Sequence, residues 1–409
     1  MAEKVERAAL VTRLKANPDS VRAPTSIKPG EMTWDQHWLL SSIEGDELRL
    51  SRSGGSDWRK LIPEFGETVA EAFRVGALSH WRCYKPVLRS EGGDNTSIPY
   101  ALVFAMAGLG MEARRDGKGL THLNREEALH ALRFSFSELN GFPSWLEPLY
   151  RVFPEEALAL IWGETRWELN ESQADRPLHY MMHDLVYHAP WLHKDLAPHI
   201  HDWFVDHSAP NDDCLRYGRI IMSGGGLPGT KLARLAKRRV EDPKTPESQL
   251  ATWYAMWASL APDDAIPALK IRLGALSRPD DAGFAERFIV ALMGERAASG
   301  PSGSAWKTPE HLRTLYVLMH EHIRTSEDVK RPHGEVFERR KRDSAEDARS
   351  NLFGLLASIP GEESYRQILA LANIHPDVGY RSHMRARAYQ RAVTDSDRDW
   401  SVEDVVALD

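Results

Sequence analysis

Five helix starts on an X-Pro step constrain this chain more than any other feature. Phe153-Pro154, Ala189-Pro190, Leu227-Pro228, Ala261-Pro262 and Thr308-Pro309 each precede a stretch of helical apolar spacing, and the prolines lie 36, 38, 34 and 47 residues apart. Proline suits the first helical turn, where its φ is already set and its missing N–H would have no partner. Glu155-Glu156 and Asp263-Asp264 follow two of the starts and complement the positive helix N-terminus. Each interval leaves room for a second helix, such as 248–260, where Leu250, Trp253, Trp257 and Leu260 fall on turn-related positions. Helix pairs at this spacing predict an all-α fold, an α-solenoid of irregular HEAT-like pairs over residues 151–409. The tetratricopeptide consensus is absent, and a compact helical bundle is the rival architecture.

The preceding stretches read differently. Residues 66–150 predict a helical domain. Val69, Phe73, Ala77 and Trp81 form a four-step apolar stripe, and 98–111 is apolar nearly all round, as a buried helix requires. Asn124 predicts an N-cap, followed by Glu126 and Glu127, for a helix reaching Glu138 and closing on Asn140-Gly141. Residues 1–65 predict an irregular N-terminal section. A helix over 5–15 meets Pro18, Pro24, Pro29 and Gly30, a short helix follows over 32–43, and 47–52 suits a hairpin or a plain loop. Toward the C-terminus, 344–358 and 362–373 continue the helical pattern, and Ser401 with Asp404 predicts a capping-box start.

Composition narrows the function classes. The longest nearly apolar run, 98–111, has 14 residues and contains Pro99, Gly108 and Gly110, against roughly 20 needed to span a bilayer. The first residues show no apolar signal core, so a cytoplasmic protein is expected. Cys83 and Cys214 are too few for a disulfide framework or a zinc ribbon, and Cys83 reads as a small buried hydrophobe. The 13 Trp read as wide spacers between helices.

Residues with chemical potential concentrate in one stretch. Seven of the 17 His, namely His179, His183, His188, His193, His199, His201 and His207, lie within 179–207. On a helix His179 and His183 would share a face and chelate a metal with Asp184. The doublets His183-Asp184 and His201-Asp202 are of the kind used by HD-type metal phosphohydrolases. The usual upstream ligand is missing, since no His occurs from 131 to 178, and the distant acid would be Asp263 or Asp264. The bland reading is that these His cover helix edges around Trp191 and Trp203. The glycine cluster 223–231 fails as a phosphate loop, because Thr230-Lys231 reverses the required order and Pro228 removes a donor. Gly300-Pro301-Ser302-Gly303 lacks the spacing of a nucleophile elbow. Two basic clusters, Lys237-Arg238-Arg239 and Arg339-Arg340-Lys341-Arg342, are candidates for contact with an acidic protein or nucleic acid. Arg339 with Asp343 and Arg342 with Glu346 stand at i,i+4 and neutralise part of that charge. The net charge of -7 speaks against a dedicated nucleic-acid binder.

Several phrases carry a resemblance. His80-Trp81-Arg82 with Tyr84 and Pro86, Glu138-Leu139-Asn140-Gly141-Phe142-Pro143 with Trp145-Leu146, and Trp167-Glu168-Leu169 are three of them. Arg342-Asp343-Ser344-Ala345-Glu346-Asp347-Ala348-Arg349 leading into Ile359-Pro360-Gly361 is the fourth. Together they resemble the helical C-terminal sensor regions of bacterial NACHT or STAND ATPases, many of which act in antiviral defence. The resemblance implies a sensor or scaffold without an ATPase core, and transfers no catalytic residue. The leading expectation is therefore a non-enzymatic α-solenoid with a concave contact surface and no cofactor. Its partner would be a protein: an effector subunit, an ATPase or a phage component. A metal-dependent phosphohydrolase at His179, His183 and Asp184 is the alternative, and a nucleic-acid-contacting subunit the second.

Overall fold

The computed structural model describes residues 2–44, 54–93, 98–115, 119–294, 303–328, 340–375 and 377–396. Among them every long element is a helix and no strand occurs, as the all-α expectation requires. The possible hairpin at 47–52, the 300–302 turn and the capping box at 401–404 lie outside the described residues. The chain divides into two units, Met1–Leu196 and Ala197–Asp409.

The first unit holds α1 (Ala2–Ala16), α2 (Asp19–Arg22), α3 (Trp34–Glu44), α4 (Ile62–Phe65), α5 (Glu67–Cys83) and α6 (Tyr100–Arg114), then α7 (Arg125–Leu132), α8 (Leu146–Val152), α9 (Pro154–Glu171) and α10 (Met182–His188). Its centre is the α5–α6 pair. The predicted stripe Val69, Phe73, Ala77 and Trp81 is fully buried, and Phe73 meets Phe104 with ring centroids 5.3 Å apart. Gly108 allows the close approach, since a Cβ there would sit 2.1 Å from Ala77 O. Leu10, Leu14, Val21, Leu39 and Leu40 join this same core, so residues 1–65 do not stand apart from 66–150. The apolar faces of α1 and α3 require a partner; α4 and α5 supply it for α1, and α6 with the 3-10 turns before α4 for α3. Asn124 caps α7 as expected, with its side chain accepting from Glu127 N and Glu127 reaching back. The helix ends at Leu132, short of Glu138, where Ser135 Oγ donates to Leu132 O across a tight 3-10 turn. Gly141, with φ +75°, is therefore a loop residue and not the helix cap.

In the second unit the helices stack in series. The division falls within α11 (His193–Asp206), and α12 (Asp212–Gly224), α13 (Gly229–Glu241), α14 (Glu247–Leu260), α15 (Pro262–Ala275) and α16 (Asp280–Met293) follow. Then come α17 (Pro309–His322), α18 (Lys341–Ser358), α19 (Glu362–Ile374) and α20 (Val378–Ser396). From α13 to α20 each helix packs on the next where both neighbours are in contact, and even-numbered helices α12, α14, α16, α18 and α20 also pack on one another in turn. The odd-numbered α15, α17 and α19 do the same, which makes two rows. Serial helix pairs in two rows are the packing that an α-solenoid uses. From α13 to α16 the even-numbered helices are the more buried: nine of the 14 residues of α14 and seven of the 14 of α16 are buried, against four of 13 in α13 and five of 14 in α15. All five X-Pro steps begin a helical segment. Pro154, Pro262 and Pro309 are the first residues of α9, α15 and α17, Pro190 opens a 3-10 turn into α11, and Pro228 immediately precedes α13. Among the described tryptophans Trp34 alone is exposed; Trp81, Trp253 and Trp306 are fully enclosed.

Candidate functional site

The histidine-rich stretch is shaped by an acid on a different helix. Glu168 lies on the buried stripe of α9 with Ile161 and Glu164, spaced three and four residues apart. Its carboxylate accepts from the backbone N–H groups of Tyr180 (3.3 Å), Met181 (2.5 Å) and Met182 (2.9 Å). The Met181 and Met182 groups are among the donors left without partners at a helix start, so Glu168 caps α10 from outside. Burial raises the Glu168 carboxyl, and the three N–H donors oppose that rise. Tyr180 completes the network by donating to Glu164 Oε2 at 3.0 Å, with the Arg89 guanidinium 4.0 Å above its ring.

This cap places the start of α10 at Met182, and the structure does not bring the expected set of His179, His183 and Asp184 together. His179 sits in the exposed loop before the helix, so it and His183 do not share a helical face. What the structure brings together instead is His183, Asp184 and His188, one donor atom of each lying within 4.8 Å of the others. His183 Nδ1 is 3.1 Å from Asp184 Oδ1. His188 packs against Gly141, where an added Cβ would come within 2.4 Å of the imidazole. The positive φ of Gly141 thus serves a close contact with this ring. His188 was visible in the sequence as one of the seven histidines, and its i,i+4 spacing from Asp184 was the available signal.

The remaining histidines have structural partners. His193 is buried and its Nε2 bonds Leu185 O at 3.0 Å, while burial lowers its pKa. In the second unit His201 pairs with Asp202 at 2.8 Å, and His207 stacks on Trp203 with centroids 4.7 Å apart. Asp263 and Asp264 head α15, and Asp263 accepts from His311 Nε2 at 2.9 Å. Sequence reasoning missed the buried Asp281–His322 pair, 2.9 Å between Oδ2 and Nδ1, with Arg278 3.5 Å from the other oxygen. Burial works against the Asp281 charge, but the His322 hydrogen bond and Arg278 outweigh it and hold the carboxyl below its usual range.

The basic clusters divide. Lys237 and Arg238 are exposed on α13, whereas Arg239 is buried, with Nε donating to Phe204 O at 2.8 Å and Nη2 to Phe204 O and His207 O. In the second cluster Arg340 and Lys341 are exposed and Arg339 lies outside the described residues. Arg342 is committed to Glu286 (2.7 Å), Glu346 (3.0 Å) and Asp328 (3.1 Å), including the expected i,i+4 pair. Cys83 is exposed at the end of α5, against the expectation of a buried hydrophobe; Cys214 is the buried one. Gly225–Pro228 link α12 to α13. No described helix is long and apolar enough to cross a membrane. No family model, curated protein or solved structure matches the chain.

Proposed function

We propose that this chain is a non-enzymatic protein-binding scaffold or sensor that uses the exposed flank of the odd-numbered helix row. The observation that carries this reading is the serial two-row packing of the second unit, which buries nine residues of α14 and seven of α16 and leaves more of α13 and α15 in solvent. Lys237 and Arg238 lie on α13, Ile271 on α15 is 75% exposed, and Val317 on α17 is exposed as well. Exposed cations and isolated exposed apolar side chains on these helices suit an acidic protein segment with apolar anchors. The resemblance to NACHT and STAND sensor regions supports a defence setting, with an effector subunit, an ATPase or a phage protein as partner.

The test uses the full chain as bait in bacterial lysate, infected and uninfected, followed by affinity measurement with each purified candidate. A saturable partner whose affinity drops about tenfold or more in the Lys237→Glu/Arg238→Glu/Ile271→Asp variant, at an unchanged melting temperature, is the expected result. A partner that binds that variant as tightly as wild type would overturn the assignment of the flank. Phosphoester turnover by the purified chain would overturn the non-enzymatic reading.

A further inference from the structure

We propose that His183, Asp184 and His188 form a binding site for one divalent transition-metal ion of the zinc class. The three donor atoms already lie within 4.8 Å of one another. Donor atoms around a tetrahedral zinc ion stand about 3.3 Å apart, given bonds of about 2.0–2.1 Å. His183 Nδ1 and Asp184 Oδ1 meet that spacing at 3.1 Å, so rotation of the His188 side chain toward them completes the set. All three residues come from one short helix, so no chain rearrangement is needed to gather them.

Two features outside the trio define its surroundings. The Glu168 carboxylate fixes where α10 begins, which sets His183 and Asp184 in its first turn and His188 in its last. The backbone of Gly141, at φ +75°, lies against the His188 ring, and any side chain there would push that ring away. Two imidazoles and one carboxylate favour Zn²⁺, Co²⁺, Ni²⁺ or Cu²⁺ over Ca²⁺ and Mg²⁺, whose sites are built from oxygen donors. Three protein ligands leave a position for water. His183 and His188 reach solvent, so the ion has an entry path. The ligand set differs from the sequence expectation by exchanging His179 for His188.

The test is isothermal titration of tag-free, chelator-treated full chain with zinc chloride, and with cobalt chloride followed by visible absorption. One ion per chain is expected, with cobalt ligand-field bands. Affinity falls about tenfold or more in His188→Ala and in Asp184→Asn, and both variants keep the wild-type far-UV spectrum. Gly141→Ala weakens binding through the displaced ring, while His179→Ala and His199→Ala bind as wild type. Wild-type affinity in His188→Ala overturns the site. Equal losses on removing His179 or His199 would also overturn it, because they would describe a diffuse histidine-rich surface. Absence of any stoichiometric binding to wild type has the same consequence.

Discussion

Among the described residues the buried charged side chains of the first unit are the carboxylates of Glu112, Glu164 and Glu168, whereas those of the second include the guanidinium groups of Arg219, Arg239 and Arg349. The carboxylates gather donors. Glu112 accepts from Trp81 Nε1 (2.8 Å), Arg82 (2.7 and 2.6 Å) and His122 (3.1 Å), and Glu168 collects the N–H groups at the start of α10. Burial alone would raise the Glu112 carboxyl; the Arg82, His122 and Trp81 donors outweigh it and hold it below its usual range. The arginines instead donate to carbonyls at the C-terminal ends of neighbouring helices. Arg219 reaches Ala291 O near the end of α16, Arg239 reaches Phe204 O at the end of α11, and Arg349 reaches Ile323 O just past α17. Partly buried Arg278 does the same at His322 O. Burial pushes Arg219 down to about 10, which leaves it charged at neutral pH.

The difference follows from what each packing leaves unpaired. A helix stack in series repeatedly abuts helix C-termini, where carbonyls without partners carry the negative end of the dipole, and a planar five-donor cation fits them. In the first unit the groups that need a partner are the N–H donors at the start of α10 and the side chains of Trp81, Arg82 and His122, and a carboxylate serves both. Asp281 is the acidic exception in the second unit, paired with His322 in the first turn of α16.

Removing an acceptor in the first unit is the harshest way to break this contrast. Glu168→Ala strands three backbone N–H groups, and we expect a loss of about 4 kcal/mol in urea unfolding. Hydrogen exchange should show the loss of protection concentrated in α10. Glu168→Gln, which retains an acceptor oxygen, should recover part of it; equal losses in the two variants would show that Glu168 does not act as a cap. In the second unit Arg349 donates to Ile323 O at 2.7 Å and to both oxygens of Asp328 at 3.0 and 2.6 Å. Arg349→Ala should cost about 3 kcal/mol. Arg349→Lys should not restore it, since one ammonium lacks the fork that spans a carboxylate and a carbonyl. Full recovery by lysine would reduce the contact to simple charge.

Local signals account for what the sequence revealed. Helix starts at proline, the α5 stripe and the burial of α6 are written in short spacings, because the 3.6-residue period and the capping chemistry act within one or two turns. The start of α10 is not written locally: it depends on Glu168, more than ten residues upstream on α9, and that dependence moved His179 off the helix. The common core of residues 1–65 with α5 and α6 is likewise a tertiary fact. Arg239 is a different kind of miss. Its charge run suggests a solvated face, yet 232, 235, 236 and 239 follow the helical period, and all four are buried. The phase of α13 was readable, and the composition of the run obscured it.

Acid sharpens the comparison more gently. His320 on α17 stacks on Tyr316 with centroids 3.9 Å apart, and burial pushes it down to about 4. Its Nδ1 bonds Tyr316 O at 2.9 Å, a contact that raises the pKa and only partly offsets burial. Between an ordinary histidine value near 6.5 and this lowered value, the unfolded chain holds a proton that the folded chain does not. Stability is therefore full above that window and falls as pH drops through it, by about 2 kcal/mol once partial solvent access is allowed for. Arg349 and His375 add to the depression and Asp328 opposes it. His80 and His193 in the first unit are lowered by burial too, so acid strains both units in the same direction. Hydrogen exchange resolved to α17 at pH 7.5 and 5 separates them. His320→Phe, which keeps a ring on Tyr316, should shrink the acid loss in that helix alone.

The smallest effect belongs to the surface. Lys237 stands 4.0 Å from Glu241 and 5.6 Å from the Trp257 ring, and Arg238 beside it is exposed. Reversing both charges should change unfolding free energy by no more than about 0.5 kcal/mol, in contrast to Arg239 one residue on, whose loss should cost about 3 kcal/mol. Neighbouring positions of one basic run would thus differ severalfold in stability, because one guanidinium caps α11 and the other side chains meet water. A loss in the double variant as large as that of Arg239→Ala would place the whole run in the architecture and remove it from the proposed contact flank.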